Sequence, residues 1–246
     1  MKIRIGIGHV PVTEHDRLRD QPGGHPRERA YDLARDHLRD HPHHLPRDLA
    51  RELGEWADEL EARRVDSGWL SDLAAAPYTV DPLIGLAYVA GRTRRLKLGT
   101  GVLILPGRDP VVVAMQLAGL AALAPGRVLP AFGVRPVRPA DRRAYAVPPG
   151  RRAAVFEEAL VVVRALLTGP SVTHHGEFFH LDEAAIAPLP AKPLDLWLGG
   201  RLPAAMDRVG RLADGWLGSA VTPAEAATSL RGFLDRFAAE LGPLQT

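Results

Sequence analysis

Short apolar runs alternate along this chain with longer segments in which apolar residues recur at helical spacing. Most of the runs are apolar on both faces, which predicts strands buried in a parallel sheet with helices packed over it. The predicted strands are residues 1–8, 68–71, 96–105, 127–134, 194–198 and 215–218. The predicted helices are residues 47–63, 81–90, 110–123, 151–168, 203–212 and 223–241, with a small hairpin at 172–181. This order predicts an α/β fold, either a closed (β/α)8 barrel or an open doubly wound sheet.

One stretch, residues 13–46, departs from this pattern. It is rich in His, Arg, Asp and Pro, and seven of the ten histidines lie between His9 and His44. A segment with so few large apolar side chains buries little surface, so we expect a polar, His-rich insertion after the first strand. Because no linker divides the chain, residues 1–246 are predicted to form a single domain that carries this insertion at 13–46.

Composition excludes several classes of function. The chain has 31 Lys and Arg residues against 29 Asp and Glu residues, and this balance argues against a nucleic-acid partner. It has no cysteine, which excludes disulfides, iron–sulfur clusters and thiol catalysis. No apolar run approaches the roughly 18 residues of a membrane span, so we expect no membrane partner. The first residues lack the layout of a signal peptide, which favours a cytoplasmic location.

The Gly199-Gly200 turn is the strongest candidate for a ligand site. It lies between a predicted strand and a predicted helix, where backbone N–H groups can approach a ligand closely because two successive side chains are missing. The free N–H groups and positive dipole end of the helix suit a phosphate, and Arg201 could bind the same anion. The alternative is a plain strand-to-helix turn that binds nothing.

Other polar residues follow predicted strands, where ligands of parallel sheets bind. Asp72 is a candidate catalytic residue, through a hydrogen bond to a cofactor or a proton relay, or else a cap or turn residue. Arg135 either faces an anionic ligand or forms a surface salt bridge. Glu157 and Glu158 are interpreted as a helix-surface pair, because adjacent helical positions do not face each other. The His residues at 41–44 and 174–180 are interpreted as solvated or packed, so no metal site is predicted.

Several sequence blocks together resemble the luciferase-like monooxygenase superfamily, in its actinobacterial branch of F420- or FMN-dependent oxidoreductases. The blocks are DSGWLSD (66–72), RTRRLKLGTGVLILPGRDPVVVAMQLAGLAALAPGRV (92–128), GRRAAVFEEALVVVRALLTG (150–169), VTHHGEFF (172–179) and LDLWLGG…DRVGRLADGWLGS (194–219). They extend from about residue 47 to 225, together with the first strand. Their order and spacing are specific to the superfamily and much less specific for a substrate.

The resemblance implies a (β/α)8 TIM-barrel-like fold that binds F420, or alternatively FMN, and transfers a hydride to or from a small organic substrate. A non-proline cis peptide is expected at Gly101-Val102, with Leu103 and Ile104, up to position 106, lining the cofactor ring. Gly133 would leave room for the ring on the fourth strand. The phosphate would lie on Gly199 and Gly200, and Ser219 would close its site. The long helix 151–168 often contributes to dimers in such proteins, so a homodimer is expected.

Three departures from the family pattern keep alternatives open. Leu73 follows Asp72, where many F420-dependent members carry a histidine. The fourth strand ends in GVRPVRP rather than a Gly-rich stretch. The pattern also ends after six strands, so we expect a barrel that is incomplete at the C-terminus. The alternative function is a non-catalytic flavin-binding or partner subunit that kept the scaffold, and a weaker one is a metal-binding or lid role for the His-rich insertion.

Overall fold

The computed structural model of the protein describes residues 7–9, 48–74, 79–136 and 139–218. The predicted His-rich insertion at 13–46, Ser219 and the predicted helix 223–241 lie outside the described residues. None of the helices in the described ranges is long and apolar enough to cross a membrane.

The described strands form two parallel sheets and one antiparallel hairpin. The strands are β1 (Ile7–His9), β2 (Ser67–Leu70), β3 (Lys97–Thr100), β4 (Leu103–Ile104), β5 (Val128–Leu129), β6 (Ala131–Gly133), β7 (Val172–His175), β8 (His180–Ala184), β9 (Trp197–Gly199) and β10 (Gly215–Leu217). The order is β1-β2-β3-β5 in one parallel sheet and β10-β9-β6-β4 in the other. Strands β7 and β8 pair with each other and confirm the predicted hairpin.

The two parallel sheets follow one another in the order expected of a barrel. A cis peptide at Gly101-Val102 separates β3 from β4, as the family resemblance implied, and Pro130 separates β5 from β6. The predicted strands 96–105 and 127–134 are therefore each interrupted once. Sequential parallel pairing runs through six strand positions from β1 to β10, and no closed barrel forms within the described residues.

Within the described ranges, five α-helices lie between these strands. They are α1 (Leu49–Ala62), α2 (Pro82–Arg92), α3 (Pro110–Leu123), α4 (Arg152–Thr168) and α5 (Pro203–Leu212). The predicted bounds of α3 and α5 are confirmed, and those of the others move by one or two residues. The carboxylates of Asp48, Asp81 and Asp109 cap the first three helices by accepting their first backbone N–H groups. Helices α4 and α5 begin without a side-chain cap.

Apolar side chains fill both faces of the sheets. On the helix-facing side, Leu98, Phe132 and Leu198 belong to the main core together with the buried faces of the helices. On the interior side, Trp69 and Trp197 pack at 6.0 Å between ring centroids, with Leu129 and Ala131 beside them. Alternation along each strand explains why neighbouring residues belong to different clusters.

Glu157 and Glu158 on α4 have separate partners, as expected of adjacent helical positions, but Glu158 is not a surface residue, since its side chain is only 14% exposed. Glu157 forms ion pairs with Arg208 and Arg211 of α5. Glu158 accepts hydrogen bonds from the backbone N–H groups of residues 177–179 and from the ring of His174, which fastens the β7–β8 hairpin to α4. Burial raises the pKa of Glu158, but these hydrogen bonds outweigh burial and hold the pKa below its usual value.

Candidate active site

The side chain of Val102, directly before β4, packs against the ends of β6 and β9 at the carboxyl edge of the sheets. A Cβ atom built on Gly133 would lie 2.5 Å from Val102 Cγ2, and one built on Gly199 would lie 2.6 Å from Val102 Cγ1. The space that both glycines leave is therefore occupied by one valine side chain. Gly133 was expected to leave room for a cofactor ring, and the structure fills that room with protein.

The residues on either side of β4 face different environments. Leu103 and Leu105 are wholly buried in the main core between sheet and helices, so their side chains are not available to a ligand. Ile104 lies on the side of Val102, because its Cδ1 atom would be 3.3 Å from a Cβ at Gly133. The expected apolar lining of the ring thus reduces to Val102 and Ile104. Gly101 is less crowded, with Trp69 Cβ 3.4 Å from its Cβ position.

Asp72 lies at the centre of a buried polar cluster, and its side chain is 3% exposed. Its Oδ2 atom accepts hydrogen bonds from the backbone N–H of Ile104 at 3.0 Å and from Arg108 Nη2 at 2.9 Å. Its Oδ1 atom accepts a short hydrogen bond from the hydroxyl of Tyr145. Arg108 also contacts Asp81 at 3.3 Å. Asp72 therefore joins the end of β2 to the end of β4 and to the loop after β6, and it is not a helix cap.

In the Asp72–Arg108–Tyr145 cluster, the pKa shifts of Tyr145 and Arg108 favour the protonated forms that donate hydrogen bonds to Asp72. Burial raises the pKa of Tyr145, and the hydrogen bond and charge of Asp72 raise it further, so the phenol stays neutral and donates its proton. Burial lowers the pKa of Arg108, but the negative charge of Asp72 and their hydrogen bond raise it overall, so the guanidinium stays charged. Asp72 is thereby occupied by three donors from the protein.

The other end of the edge is the turn from Gly199 to Leu202. Gly200 has a φ of +136°, and a Cβ there would lie 2.6 Å from that of Ala205. The carbonyl of Gly200 accepts a hydrogen bond from the indole Nε1 of Trp216 at 2.6 Å. Leu202 is 70% exposed and gives α5 no side-chain cap, and Arg201 is exposed beside it. The positive end of α5 therefore opens onto an exposed turn.

Within the described ranges, no group of three or more His, Asp or Glu side chains could hold a metal ion. His174 contacts Glu158 at 3.2 Å, and the exposed His175 contacts Asp182 at 2.7 Å. These two histidines of the hairpin therefore have carboxylate partners, and the rings of His175 and His180 also stack, with 6.2 Å between their centroids.

A family model described as luciferase-like monooxygenase matches residues 33–244 of the chain. The protein belongs to the luciferase-like monooxygenase family. An F420-dependent glucose-6-phosphate dehydrogenase of Kineococcus radiotolerans is 31% identical over 173 residues, which cover 68% of this chain and 51% of the relative. The chain thus spans about half the length of the curated relatives it matches.

Solved structures share the fold of this luciferase-like protein. Monooxygenase RslO1 from Streptomyces bottropensis superposes with a TM-score of 0.70 at 22% identity, over 79% of this chain and 62% of that one. The oxygenating constituent of 3,6-diketocamphane monooxygenase of Pseudomonas putida, in complex with FMN, gives a TM-score of 0.67 at 16% identity, over 84% and 61% of the two chains.

Arg135 lies in a positive region of this luciferase-like protein, after β6. It is exposed, and it forms no ion pair within the part of the chain that the structure describes. Arg152 of α4 donates a hydrogen bond from Nη2 to the carbonyl of Tyr145 at 2.7 Å. Burial lowers the pKa of Arg152, and the nearby charges of Arg135 and Arg142 lower it further. The surface-salt-bridge interpretation of Arg135 is therefore not supported, and an anionic ligand remains a prediction.

Two members of the buried cluster were missed by sequence reasoning. Arg108 lies in a PGRDP segment directly after β4, a position at the ligand edge that could have drawn attention to it. Tyr145 lies 73 residues from Asp72 in a loop without a motif, and no local signal indicates it. Gly107 between β4 and α3 offers a weak signal, because its φ is +95° and a Cβ there would lie 2.8 Å from the backbone of Tyr145.

Proposed function

We propose that this protein is an F420-dependent oxidoreductase that transfers a hydride to or from a small organic substrate. The observation that carries the proposal is the turn from Gly199 to Leu202, which presents an uncapped helix start and a glycine with no side chain at an exposed edge. F420-dependent relatives at 31% and 33% identity over 68% of the chain favour F420 over FMN.

The residues present fit such a cofactor. The phosphate-bearing tail would lie on Gly200 and Arg201, where backbone N–H groups, the dipole of α5 and a guanidinium all favour an anion. The ring would lie over Val102 and Ile104, and a bound deazaflavin would supply the hydride chemistry. Val102 fills the space beside Gly133 and Gly199, so these glycines would act by shaping the floor of the site. Ser219 stays a predicted phosphate contact.

In this proposal Asp72 is a positioning residue. Its two oxygens hold Ile104, Arg108 and Tyr145, so the cluster fixes the backbone on which the ring would lie. Tyr145 stays protonated and Arg108 stays charged, so both oxygens of Asp72 are engaged by donors of the protein. Hydride transfer at the ring would then depend on placement and exclusion of water rather than on Asp72 as an acid or base.

FMN is the alternative cofactor. The positive region of Arg135, Arg142 and Arg152 offers a second place for a phosphate, at the end of β6. The FMN complex of the diketocamphane monooxygenase constituent establishes that a similar fold can hold this cofactor.

The decisive experiment is a fluorescence titration of the pure protein with F420 and, separately, with FMN. We expect F420 to bind with a micromolar or tighter dissociation constant. Gly200→Ala should weaken that binding, because its Cβ would collide with Ala205 and its φ is unfavourable for alanine. The matched control is Gly119→Ala on α3, where a Cβ meets no atom within 4 Å. Binding of neither cofactor would contradict the proposal.

The alternative function is a non-catalytic flavin-binding or partner subunit. Leu73 after Asp72 favours this alternative, because the position lacks the histidine that many F420-dependent relatives carry. The two functions differ in turnover. Oxidation of reduced F420 by a panel of small carbonyl compounds, or reduction of F420 by alcohols and glucose 6-phosphate, would establish the enzyme, whereas tight binding without turnover would favour the subunit.

We also propose a homodimer formed through α2 and α3. Ile84 of α2 is 66% exposed, and Met115 and Leu123 of α3 are 54% and 67% exposed. By contrast, most of the large apolar side chains of α4, the helix first expected to contribute, are buried inside the domain. Sedimentation should give a dimer for the wild type and a monomer for Met115→Glu, and an unchanged mass for the variant would contradict this interface.

A further inference from the structure

We infer that Trp216 is a positioning residue of the phosphate turn, which aims the backbone N–H of Arg201 at the ligand by holding the carbonyl of Gly200. The inference rests on the proposed function. It assigns a role to the tryptophan of the segment ADGW (213–216), whose side chain lies outside the turn itself.

The direction of the hydrogen bond follows from the two faces of β10. Trp216 lies opposite Leu198 of β9, and both pack against the main core on the helix-facing side of the sheet. The next residue, Leu217, packs against the interior cluster around Trp69 and Trp197. The indole of Trp216 therefore draws the Gly200 carbonyl toward the helix layer, with a distance of 2.6 Å between Nε1 and the oxygen.

The hydrogen bond from Trp216 to the Gly200 carbonyl also fixes the direction of the Arg201 N–H, because both groups belong to one planar peptide unit. The C=O and N–H groups of one trans peptide unit point in opposite directions. Since the carbonyl of Gly200 points toward Trp216, the N–H of Arg201 in the same unit points away from the helix layer. That is the interior side of the sheet, the side on which Val102 packs beside Trp69 and Trp197.

The same short segment also fixes the start of β9. Asp214 Oδ2 accepts hydrogen bonds from the backbone N–H of Leu196 at 2.8 Å and from Arg164 at 2.9 Å. The backbone N–H of Asp214 donates in return to the carbonyl of Leu196 at 2.9 Å. Asp214 and Trp216 thus hold the two ends of β9, and Trp216 is the one at the ligand end.

The neighbouring tryptophans do not share this role. The indole of Trp69 donates to Ser67 Oγ at 3.0 Å, at the start of β2. The Nε1 atom of Trp197 is buried and has no hydrogen-bond partner among the described residues. Trp69→Phe is therefore a matched control for Trp216→Phe, since each removes one indole hydrogen bond and keeps an aromatic ring.

The test compares ligands with and without the phosphate. Dissociation constants for F420 and for its deazariboflavin chromophore without the phosphate-bearing tail are measured by fluorescence for the wild type, Trp216→Phe and Trp69→Phe. We expect the wild type to prefer F420 and Trp216→Phe to lose about tenfold of that preference, because one well-aimed hydrogen bond to a charged group is disturbed. Binding of the chromophore alone should change little, and Trp69→Phe should keep the wild-type preference.

Other outcomes overturn the inference. If Trp216→Phe weakened the binding of both ligands equally, the indole of Trp216 would contribute only packing. If the preference for F420 were unchanged, the hydrogen bond would not orient the N–H of Arg201. If the wild type binds F420 no better than its chromophore, the phosphate role of the turn fails, and if it binds neither, the proposed function fails with it. Should Trp216→Phe not fold, 3-benzothienylalanine at position 216 removes the donor with the same ring shape, and the same loss of preference is expected.

Discussion

The two ends of the candidate site lie at the same edge of the parallel strands, yet their polar groups are arranged in opposite ways. At Asp72 a buried carboxylate has all its described partners within the protein, namely Ile104, Arg108 and Tyr145. At the Gly199–Leu202 turn, backbone groups and the start of α5 have no side-chain cap and are exposed. Polar groups that are hydrogen-bonded within the protein, as at Asp72, stabilise the fold. Polar groups that stay exposed to solvent, as at the Gly199–Leu202 turn, are available to bind a ligand.

The largest expected effect on stability comes from disrupting the buried Asp72–Arg108–Tyr145 cluster. Asp72→Ala should lower the free energy of unfolding by about 3–5 kcal/mol, because it leaves the N–H of Ile104 and the hydroxyl of Tyr145 buried without their acceptor and removes the shorter of the two ion pairs of Arg108. Urea unfolding measures the change. Asp58→Ala is the control, because it also removes a carboxylate bonded to an arginine, Arg92, but at an exposed site where about 0–1 kcal/mol is expected. Equal effects of the two variants would contradict the structural role of Asp72.

A smaller effect with a characteristic pH dependence is expected at Tyr145. Tyr145→Phe removes a hydrogen bond to a charged carboxylate and should cost about 1.5–3 kcal/mol near neutral pH. Burial and Asp72 raise the pKa of Tyr145 in the folded protein, so the phenol ionises more readily in the unfolded chain. The stability that Tyr145 contributes is therefore fully present below about pH 10, its unfolded pKa, and is lost as the pH rises above it.

Urea unfolding of wild type and Tyr145→Phe between about pH 8 and pH 11 measures this dependence, since the unfolded pKa of tyrosine is near 10. The difference in unfolding free energy between the two proteins should shrink at the alkaline end. A constant or growing difference would mean that the hydroxyl is not held neutral by Asp72.

The helices of the fold could be predicted from the sequence, whereas the Asp72–Arg108–Tyr145 cluster could not. Helix α3 follows from Asp109-Pro110 and a continuous apolar run, and Pro203 after the glycine turn marks the start of α5. The Asp72–Arg108–Tyr145 cluster could not be predicted, because its members are 36 and 73 residues apart and each is individually a common surface residue type. Local patterns determine elements and their order, whereas the partner of a buried charge depends on which loops the completed fold brings together.

Gly133 teaches the same lesson at smaller scale. A glycine at the end of a strand correctly indicates close approach, but the pattern does not say what approaches. In the structure the neighbour is Val102, a residue 31 positions away that lies directly before the adjoining strand β4. Glu158 is similar, since the sequence indicated a residue on the helix surface, while its actual partners are backbone groups of the β7–β8 hairpin.

Packing at Val102 gives the next effect. Gly133→Ala should cost about 1–3 kcal/mol, because its Cβ would lie 2.5 Å from Val102 Cγ2. In the double variant with Val102→Ala the colliding methyl group is gone, so the combined loss should be smaller than the sum of the two single losses. Gly119→Ala serves as the matched control and should be neutral or slightly stabilising. Simple additivity of Gly133→Ala and Val102→Ala would contradict the contact.

The smallest expected change in stability comes from giving α5 a side-chain cap. The same change is the most direct test of the contrast between the two ends of the site. Leu202 is the N-cap of α5 without a side-chain hydrogen bond, and Asp or Asn there should stabilise the protein by about 0.5–2 kcal/mol. Both side chains would then bind N–H groups in the first turn of α5, next to the Gly200 and Arg201 backbone on which we place the phosphate. Thermal unfolding measures the gain, and titration with F420 measures the loss of affinity.

The two caps separate the causes of that loss. Leu202→Asn competes for the N–H groups without adding charge, whereas Leu202→Asp also places a carboxylate beside the phosphate and should weaken binding further. Leu202→Ala, which offers no acceptor, should change neither stability nor affinity much. If both caps stabilised α5 and left F420 affinity intact, the start of α5 would not be where the phosphate binds, because one set of donors cannot be closed by the protein and remain open to the ligand.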